Sequence, residues 1–178
     1  MASSFFSFPN PVNDVAARSV ASGVVVMAAI ALATHQLWLT IPLAYGFVAR
    51  VACGPRFSPL GLVATRLVAP RLGAHAKLVP GPPKRFAQAM GATFTVAALL
   101  VWLLWSDLAA EVLLGLLIVP AVLEAALGYC VGCRIFALAI RSGLAEVSGL
   151  AHDKPAFVQV NGSVWALWLY YLTQRLGA

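Results

Sequence analysis

The segment GYCVGC, residues 128–133, places two cysteines three residues apart at the end of a long apolar stretch. Side chains three apart on a helix have Cβ atoms about 5–6 Å apart, so Cys130 and Cys133 could form a disulfide after a small backbone adjustment. Such a CxxC dithiol would support thiol redox or sulfur-transfer chemistry. The third cysteine, Cys53, leaves an odd number, which argues against a secreted disulfide framework. We predict that Cys130 and Cys133 react and that Cys53 serves as a resolving thiol.

The cysteines could also serve in packing or in metal binding. If the apolar stretch is one helix, both thiols lie at its C-terminus, where the helix dipole disfavours a thiolate, and they are small packing residues. A zinc site could combine Cys53, Cys130 and Cys133 with His75 or His152. That set lacks the second closely spaced ligand pair of strong zinc motifs, and the sequence predicts neither a metal ion nor a cofactor.

Glu124 is a carboxylate inside the same apolar stretch. An ionised group is expensive there, so Glu124 should face the interior of a helix bundle, be protonated or find a partner. It stands six residues before Cys130, roughly 120° around a helix, which makes a role as the base of that thiol doubtful. A functional role and a hydrogen bond to a neighbouring Ser, Thr or Tyr remain alternatives. His35 and His75 are expected to be solvated.

The composition places these residues in a membrane. Hydrophobic residues make up 61% of the 178 residues and charged residues only 10%, far below the roughly 25% of soluble domains. The 12 basic residues outnumber the six acidic ones, but their positions matter more than their excess, so we predict a lipid bilayer and no nucleic acid as partner.

The hydropathy pattern predicts an all-α polytopic membrane protein with four transmembrane helices. The run without charge between Arg18 and Arg50 is too long for one span of about 20 residues, and its polar middle suggests a helical hairpin. We expect spans at about 15–33, 37–52, 86–105 and 108–133. These give an N-terminal tail 1–14, a membrane domain 15–140 and a C-terminal segment 141–178.

Two segments outside the spans have amphipathic character. The loop between Cys53 and Arg85 is basic and proline-rich, and its middle suggests a short helix lying on anionic lipid, or an ordinary amphipathic connector. In the tail, the aromatic segment from Ser163 to Leu176 suggests an interfacial helix. A β-hairpin across Asn161-Gly162, over residues 157–167, is the alternative.

The distribution of charge predicts the orientation. With four spans and both termini on one side, all 12 basic residues fall on that side. The positive-inside rule therefore puts both termini and the basic loop in the cytoplasm.

Several segments resemble a known family of small bacterial membrane proteins, the domain of unknown function 4395. They are PVND near the start, CGPRFSPLGLVATRLVAPRLG after span two, PGPPKRFAQAMG before span three and LEAALGYCVGC closing span four. The resemblance implies a bacterial inner-membrane location. Members of the family look like genomic neighbours of thioredoxin-like and rhodanese-like proteins, which implies such a partner and a thiol or sulfur role for Cys130 and Cys133.

Three functions follow as alternatives. The first is thiol redox or sulfur transfer at a cytoplasm-facing dithiol. The second is a non-catalytic accessory subunit that packs small residues (Gly91, Ala92, Ala97 and Ala98) and its aromatic tail against a larger membrane complex. The third is a small transporter using Glu124, which would have to be oligomeric because four spans without a repeat leave little room for a pathway.

Overall fold

The computed structural model describes residues 9–72, 77–142, 145–146 and 159–160. Within this part of the chain, four helical segments are long and apolar enough to cross a membrane. They are Asp14–Thr34, the interrupted segment Leu37–Leu72, Gly81–Leu104 and Asp107–Leu127. The expected all-α fold with four apolar helices is confirmed.

The first helix, α1 (Asp14–Thr34), has well-defined ends. The Asn13 side chain accepts from the backbone N–H groups of Val15 and Ala16, which satisfies two donors at the helix N-terminus. The helix stops at His35, which adopts a left-handed conformation with φ 52°. The expected hairpin turn therefore lies here, followed by a 3₁₀ turn at Leu37–Leu39 and α2 at Thr40–Cys53.

Beyond α2 the chain stays helical but changes direction. A 3₁₀ turn at Gly54–Arg56 leads to α3 (Pro59–Val63), a π turn (Ala64–Val68) and α4 (Ala69–Leu72). This is the short helix expected in the basic loop. One side of it is buried through Ala64 and Ala69, and the other side exposes Val63 and Leu67. These exposed apolar groups fit a position against lipid.

The last two apolar helices differ from the expected spans at the end where the cysteines lie. Helix α5 (Gly81–Leu104) starts before the expected residue 86, because Pro82 and Pro83 occupy first-turn positions that need no N–H donor. Helix α6 (Asp107–Leu127) ends before the expected residue 133, and a separate amphipathic helix, α7 (Val131–Arg141), follows it. Pro120 lies inside α6, as expected.

The four long helices form a bundle in which α1 packs on α6, α6 on α5 and α5 on α2. Small residues allow these close contacts. Ala28 and Ala31 of α1 are fully buried, and a Cβ atom added at Gly91 of α5 would overlap the Phe47 ring of α2. The core is therefore filled by small residues against a few large ones.

A short antiparallel strand pair closes one end of the bundle. Strand β1 (Val12–Asn13) pairs with β2 (Leu78–Val79), in the register Val12 to Val79. The Gly81 N–H also donates to the Asn10 side chain at 3.0 Å. The segment before α1 is thereby attached to the segment before α5.

The chain divides into two compact units, residues 1–133 and 134–178. In the second unit, β3 (Ala145–Glu146) pairs antiparallel with β4 (Gln159–Val160). The expected interfacial helix from Ser163 to Leu176 lies outside the described residues. Of the alternative hairpin over residues 157–167, only β4 is described, and it pairs with β3.

Candidate thiol site and buried ion pair

The backbone break between α6 and α7 determines where the thiols lie. Gly128 adopts φ 66°, the left-handed conformation that ends helices, and its N–H donates to the Glu124 carbonyl at 3.0 Å. The Arg18 guanidinium of α1 donates to the carbonyls of Ala125 and Ala126. With its last carbonyls satisfied in this way, α6 ends before it reaches the cysteines.

Cys130 consequently precedes the first residue of α7, at the N-cap position, and Cys133 lies in the first turn. The backbone N–H of Cys133 donates to the Cys130 sulfur at 3.4 Å, as in an N-cap. The expectation that the thiols lie at a helix C-terminus is wrong. A helix N-terminus favours a thiolate, so the electrostatic argument against reactive thiols is reversed.

The two sulfur atoms are in direct contact. Both thiols are free, and the Cys133 Sγ donates to the Cys130 Sγ at a distance of 2.7 Å. Cys130 is 9% exposed, whereas Cys133 is half-buried. The two sulfurs are therefore already adjacent, as disulfide formation requires, and Cys133 is the more exposed of the two residues.

The contact makes the two thiols unequal. The hydrogen bond from Cys133 lowers the pKa of the Cys130 thiol, although burial and the nearby Glu124 charge oppose this. The same hydrogen bond, with burial, raises the pKa of the Cys133 thiol. Cys130 is thus the thiol that ionises first, and Cys133 holds its proton while it donates to that thiolate.

A buried ion pair lies close to the thiols. The Lys84 ammonium of α5 contacts the Glu124 carboxylate of α6 at 2.6 Å and the Asp14 carboxylate of α1 at 3.6 Å. The side chains of Lys84 and Glu124 are only 6% and 14% exposed. Glu124 therefore has a charged partner rather than a Ser, Thr or Tyr hydroxyl. Both charges are close enough to act electrostatically on Cys130 and Cys133.

Lys84 was expected in the basic loop, and its position is a correction. Because α5 starts at Gly81, Lys84 lies in a helix and points into the bundle. The signal that identifies it is the Pro82-Pro83 pair, which is typical of the first turn of a helix. Reading that pair as a helix start would have placed Lys84 inside the span and suggested it as the partner of Glu124.

A second buried cation was missed from the sequence. Arg50 of α2 is 4% exposed, although the charge pattern groups it with the basic residues of the loop. It donates to the Gln88 side-chain oxygen and to the Ser58 hydroxyl, both at 2.7 Å, and stacks over the Phe47 ring at 4.5 Å. Its Nη2 atom has no partner among the described residues. Arg50 thus joins α2 to α5 and to the start of α3.

A cavity of about 260 Å³ reaches from the thiol end into the bundle. It lies among α1, α2, α5 and α6, and its walls are mainly apolar. At the thiol end it is lined by Cys130, Glu124 and Gln88. Cys130 therefore serves as the N-cap of α7 and also forms part of the wall of a cavity inside the bundle.

The remaining predicted site residues are not brought to the dithiol. Cys53 ends α2 and is half-buried, and in the described part of the chain it makes no sulfur contact with the pair. His35 lies in the turn after α1 and contacts Glu111 at 2.6 Å. No group of three His, Cys, Asp or Glu residues suited to a metal ion occurs among the described residues, and His75 and His152 lie outside them.

The chain belongs to the family described as domain of unknown function (DUF4395), whose model matches residues 12–141. The matched range begins at β1 and ends at the last residue of α7, so it includes the dithiol and the ion pair. No curated protein and no solved structure matches the chain.

Proposed function

We propose that this DUF4395 protein is a thiol–disulfide exchange protein of the bacterial inner membrane, in which Cys130 and Cys133 form a reversible pair. The observation that carries the proposal is the position of Cys130 at the N-cap of α7, with its sulfur accepting both the N–H and the S–H of Cys133. These two donors and the helix dipole stabilise one thiolate next to a second thiol. That arrangement is the requirement for dithiol exchange.

The exchange follows from the inequality of the two sulfurs. When the pair is oxidised, a partner thiolate attacks the more exposed Cys133 sulfur, and the Cys130–Cys133 bond breaks. Cys130 leaves as a thiolate, which the Cys133 backbone N–H and the N-terminus of α7 stabilise, and a more stable thiolate is the better leaving group. A second partner thiol then attacks the mixed disulfide, so Cys133 is released and the partner carries the new disulfide. One S–S bond breaks and one forms.

The partner in this proposal is a thioredoxin-like protein on the cytoplasmic side. The basic residues near the dithiol end support this orientation under the positive-inside rule, since Arg56, Arg66, Arg71 and Lys77 are all exposed there. A rhodanese-like partner would instead transfer one sulfur atom to a single cysteine. Cys53 as resolving thiol remains a prediction.

The test is trapping with single-cysteine variants of the purified full-length protein. In a Cys53→Ala background and under mild oxidation, Cys130→Ser should accumulate a mixed disulfide through Cys133 with a thioredoxin-type protein that keeps only its attacking cysteine, because both thiols that could resolve the mixed disulfide are then missing. The parent should lose both alkylation sites together on mild oxidation and regain both after reduction. Mass spectrometry also detects an added sulfur atom, which would indicate sulfur transfer.

The control is the double variant Cys130→Ala/Cys133→Ala. If Cys130→Ser traps no partner and the two thiols of the parent are not oxidised together, the exchange proposal is wrong. If the double variant is in addition as abundant and stable as the parent, the accessory-subunit hypothesis takes its place. Transport through Glu124 is a separate hypothesis, which an ion-flux measurement on Glu124→Gln tests.

A further inference from the structure

We propose that the cavity beside Cys130 binds the ring of a lipid-soluble quinone, which accepts two electrons from the Cys130–Cys133 dithiol. This inference rests on the proposed exchange function and names the second co-reactant of the same site. It rests on four features of the cavity: its size, its opening, its polar groups and its contact with Cys130.

The size suits one substituted ring. A cavity of about 150 Å³ lined by apolar side chains holds benzene, so the volume of about 260 Å³ leaves room for ring substituents. The walls carry two aromatic side chains, Phe47 and Phe94, which can pack on a planar ring. The other wall residues are mostly aliphatic.

Two of the wall residues place the cavity next to the apolar surface of the bundle, which is the side on which we infer that it opens. Leu116 and Val119 of α6 line the cavity, and they are also 53% and 60% exposed. In a helix that is apolar enough to span a bilayer, such exposed residues face hydrocarbon. A ligand that reaches the cavity past them arrives from the lipid, which excludes a strongly hydrated substrate and favours a lipid-soluble one.

Two polar groups in the cavity wall suit a ring that carries two oxygens. Gln88 uses its side-chain oxygen to accept from Arg50, which leaves the amide nitrogen as its donor to a carbonyl oxygen. Pro120 has no N–H, so the Leu116 carbonyl lacks its normal helical donor and can accept from a hydroxyl. The Gln88 amide can therefore donate to a carbonyl oxygen of the oxidised ring, and the Leu116 carbonyl can accept from a hydroxyl of the reduced ring.

The redox step balances within this site. The Cys130 thiolate attacks a ring carbon and forms a C–S bond. The Cys133 sulfur then attacks the Cys130 sulfur, the S–S bond forms, the C–S bond breaks, and its electron pair stays on the ring. Two thiols become one disulfide, and a quinone becomes a quinol with the two thiol protons on its oxygens. Glu124, which lines the same end, can carry a proton between sulfur and ring.

The experiment measures oxidation of the reduced full-length protein in lipid nanodiscs by a short-tailed benzoquinone, in a Cys53→Ala background. We expect one quinone to be reduced per protein and both alkylation sites to disappear together. Ala121→Phe fills the cavity from α6 and should slow this oxidation about tenfold or more. Gly115→Phe is the matched control, because Gly115 is on the same helix and has nothing within 4 Å of an added Cβ. It should oxidise at the parental rate.

Exchange with a thioredoxin-type protein is measured on the same samples. Retained exchange shows that Ala121→Phe is folded, so that a selective loss of quinone reduction supports the cavity site. If Ala121→Phe does not fold, Val24→Phe, which fills the cavity from α1, provides the same comparison. Equal oxidation rates in the filled and control variants, or quinone bound covalently without disulfide formation, would overturn the quinone site while exchange stands. Loss of exchange in the parent would overturn the proposed function itself.

Discussion

At the Cys130 sulfur, two donors from one residue act together with the dipole of α7. The S–H of Cys133 is the stronger influence on the pKa, and it exists only because the sulfurs are 2.7 Å apart. The Cys133 thiol is therefore a positioning group for the thiolate as well as the second member of the pair.

Replacing Cys133 by alanine should make Cys130 less reactive. The pKa of Cys130 is below its ordinary value in the parent, so the alkylation rate rises with pH earlier than for a free thiol. Without the S–H donor the pKa of Cys130 rises. The alkylation rate near neutral pH should then fall several-fold, and the curve of rate against pH should move to higher pH. Rates of iodoacetamide labelling across pH, in a Cys53→Ala background, check this. If the curve of labelling rate against pH is the same as in the parent, the hydrogen bond has no effect on the thiolate.

The Lys84–Glu124 pair should be costly to break from one side. Lys84→Met leaves the Glu124 and Asp14 carboxylates without their cation, and removal of one partner of a buried pair costs about 3–5 kcal/mol. The double variant Lys84→Met/Glu124→Leu should recover most of that loss. Thermal unfolding of Lys84→Met, Glu124→Leu and the double variant in mild detergent gives the coupling. If the stability losses of the two single variants simply add in the double variant, Lys84 and Glu124 do not act as a unit.

At the scale of the elements, the break between α6 and α7 decides the chemistry. If α6 continued through residue 133, the same cysteines would lie at a helix C-terminus. Gly132 adds a second constraint, since a Cβ atom there would lie 2.6 Å from the Ala87 Cβ and 2.7 Å from its Cα. The first turn of α7 is thereby held close against α5.

Gly128→Ala tests the importance of the break. Alanine at φ 66° costs about 1–2 kcal/mol, although the neighbouring atoms leave room for its methyl group. We expect lower thermal stability and slower alkylation of Cys130, because a straightened backbone would move Cys130 away from the N-cap. Gly115→Ala is the control, and it should be as stable as the parent or more stable, because alanine is the better helix former. Unchanged alkylation in Gly128→Ala would show that the break does not set the thiol's reactivity.

The elements also show what the sequence can predict. Long apolar runs predicted the four apolar helices, because a helix that crosses lipid must be apolar over most of its length, and the polar residues after Thr34 predicted the turn. The helix break was missed because apolar residues continue unbroken across Gly128, so that hydropathy carries no signal there. It depends instead on Arg18, a residue distant in sequence, reaching the last carbonyls of α6. Lys84 was assigned to the loop, and the burial of Arg50 near the end of the second span was missed, because charge alone does not report which basic residues find a buried partner.

At the scale of the whole molecule, four helix ends meet at one end of the bundle. They are the start of α1, the end of α2, the start of α5 and the end of α6. The strand pair, the Arg18 contacts and the Lys84 ion pair all lie there. The other end has the contact between His35 and Glu111. The thiols thus belong to the end that carries most of the polar contacts described.

The orientation can be tested with reporter fusions. We expect a cytoplasmic signal at Met1 and at Ala178, because this places every basic residue on the cytoplasmic side. A fusion in the turn after His35 is the matched control and should report the outside. Signals from opposite sides would contradict the four-helix topology, whereas an external signal from both termini would reverse the orientation and place the dithiol in an oxidising compartment.

The contacts of Arg18 also bear on the order of synthesis. Its acceptors at Ala125 and Ala126 lie 107 and 108 residues further along the chain, and Glu124 lies 40 residues after Lys84. Because a chain is made from its N-terminus, both cations reach the membrane before their partners in α6 exist. The thiols follow those partners by only a few residues. Every incomplete product that ends before α6 therefore lacks these α6 partners as well as the dithiol, so the reactive pair arises only in a chain whose four helices are all present.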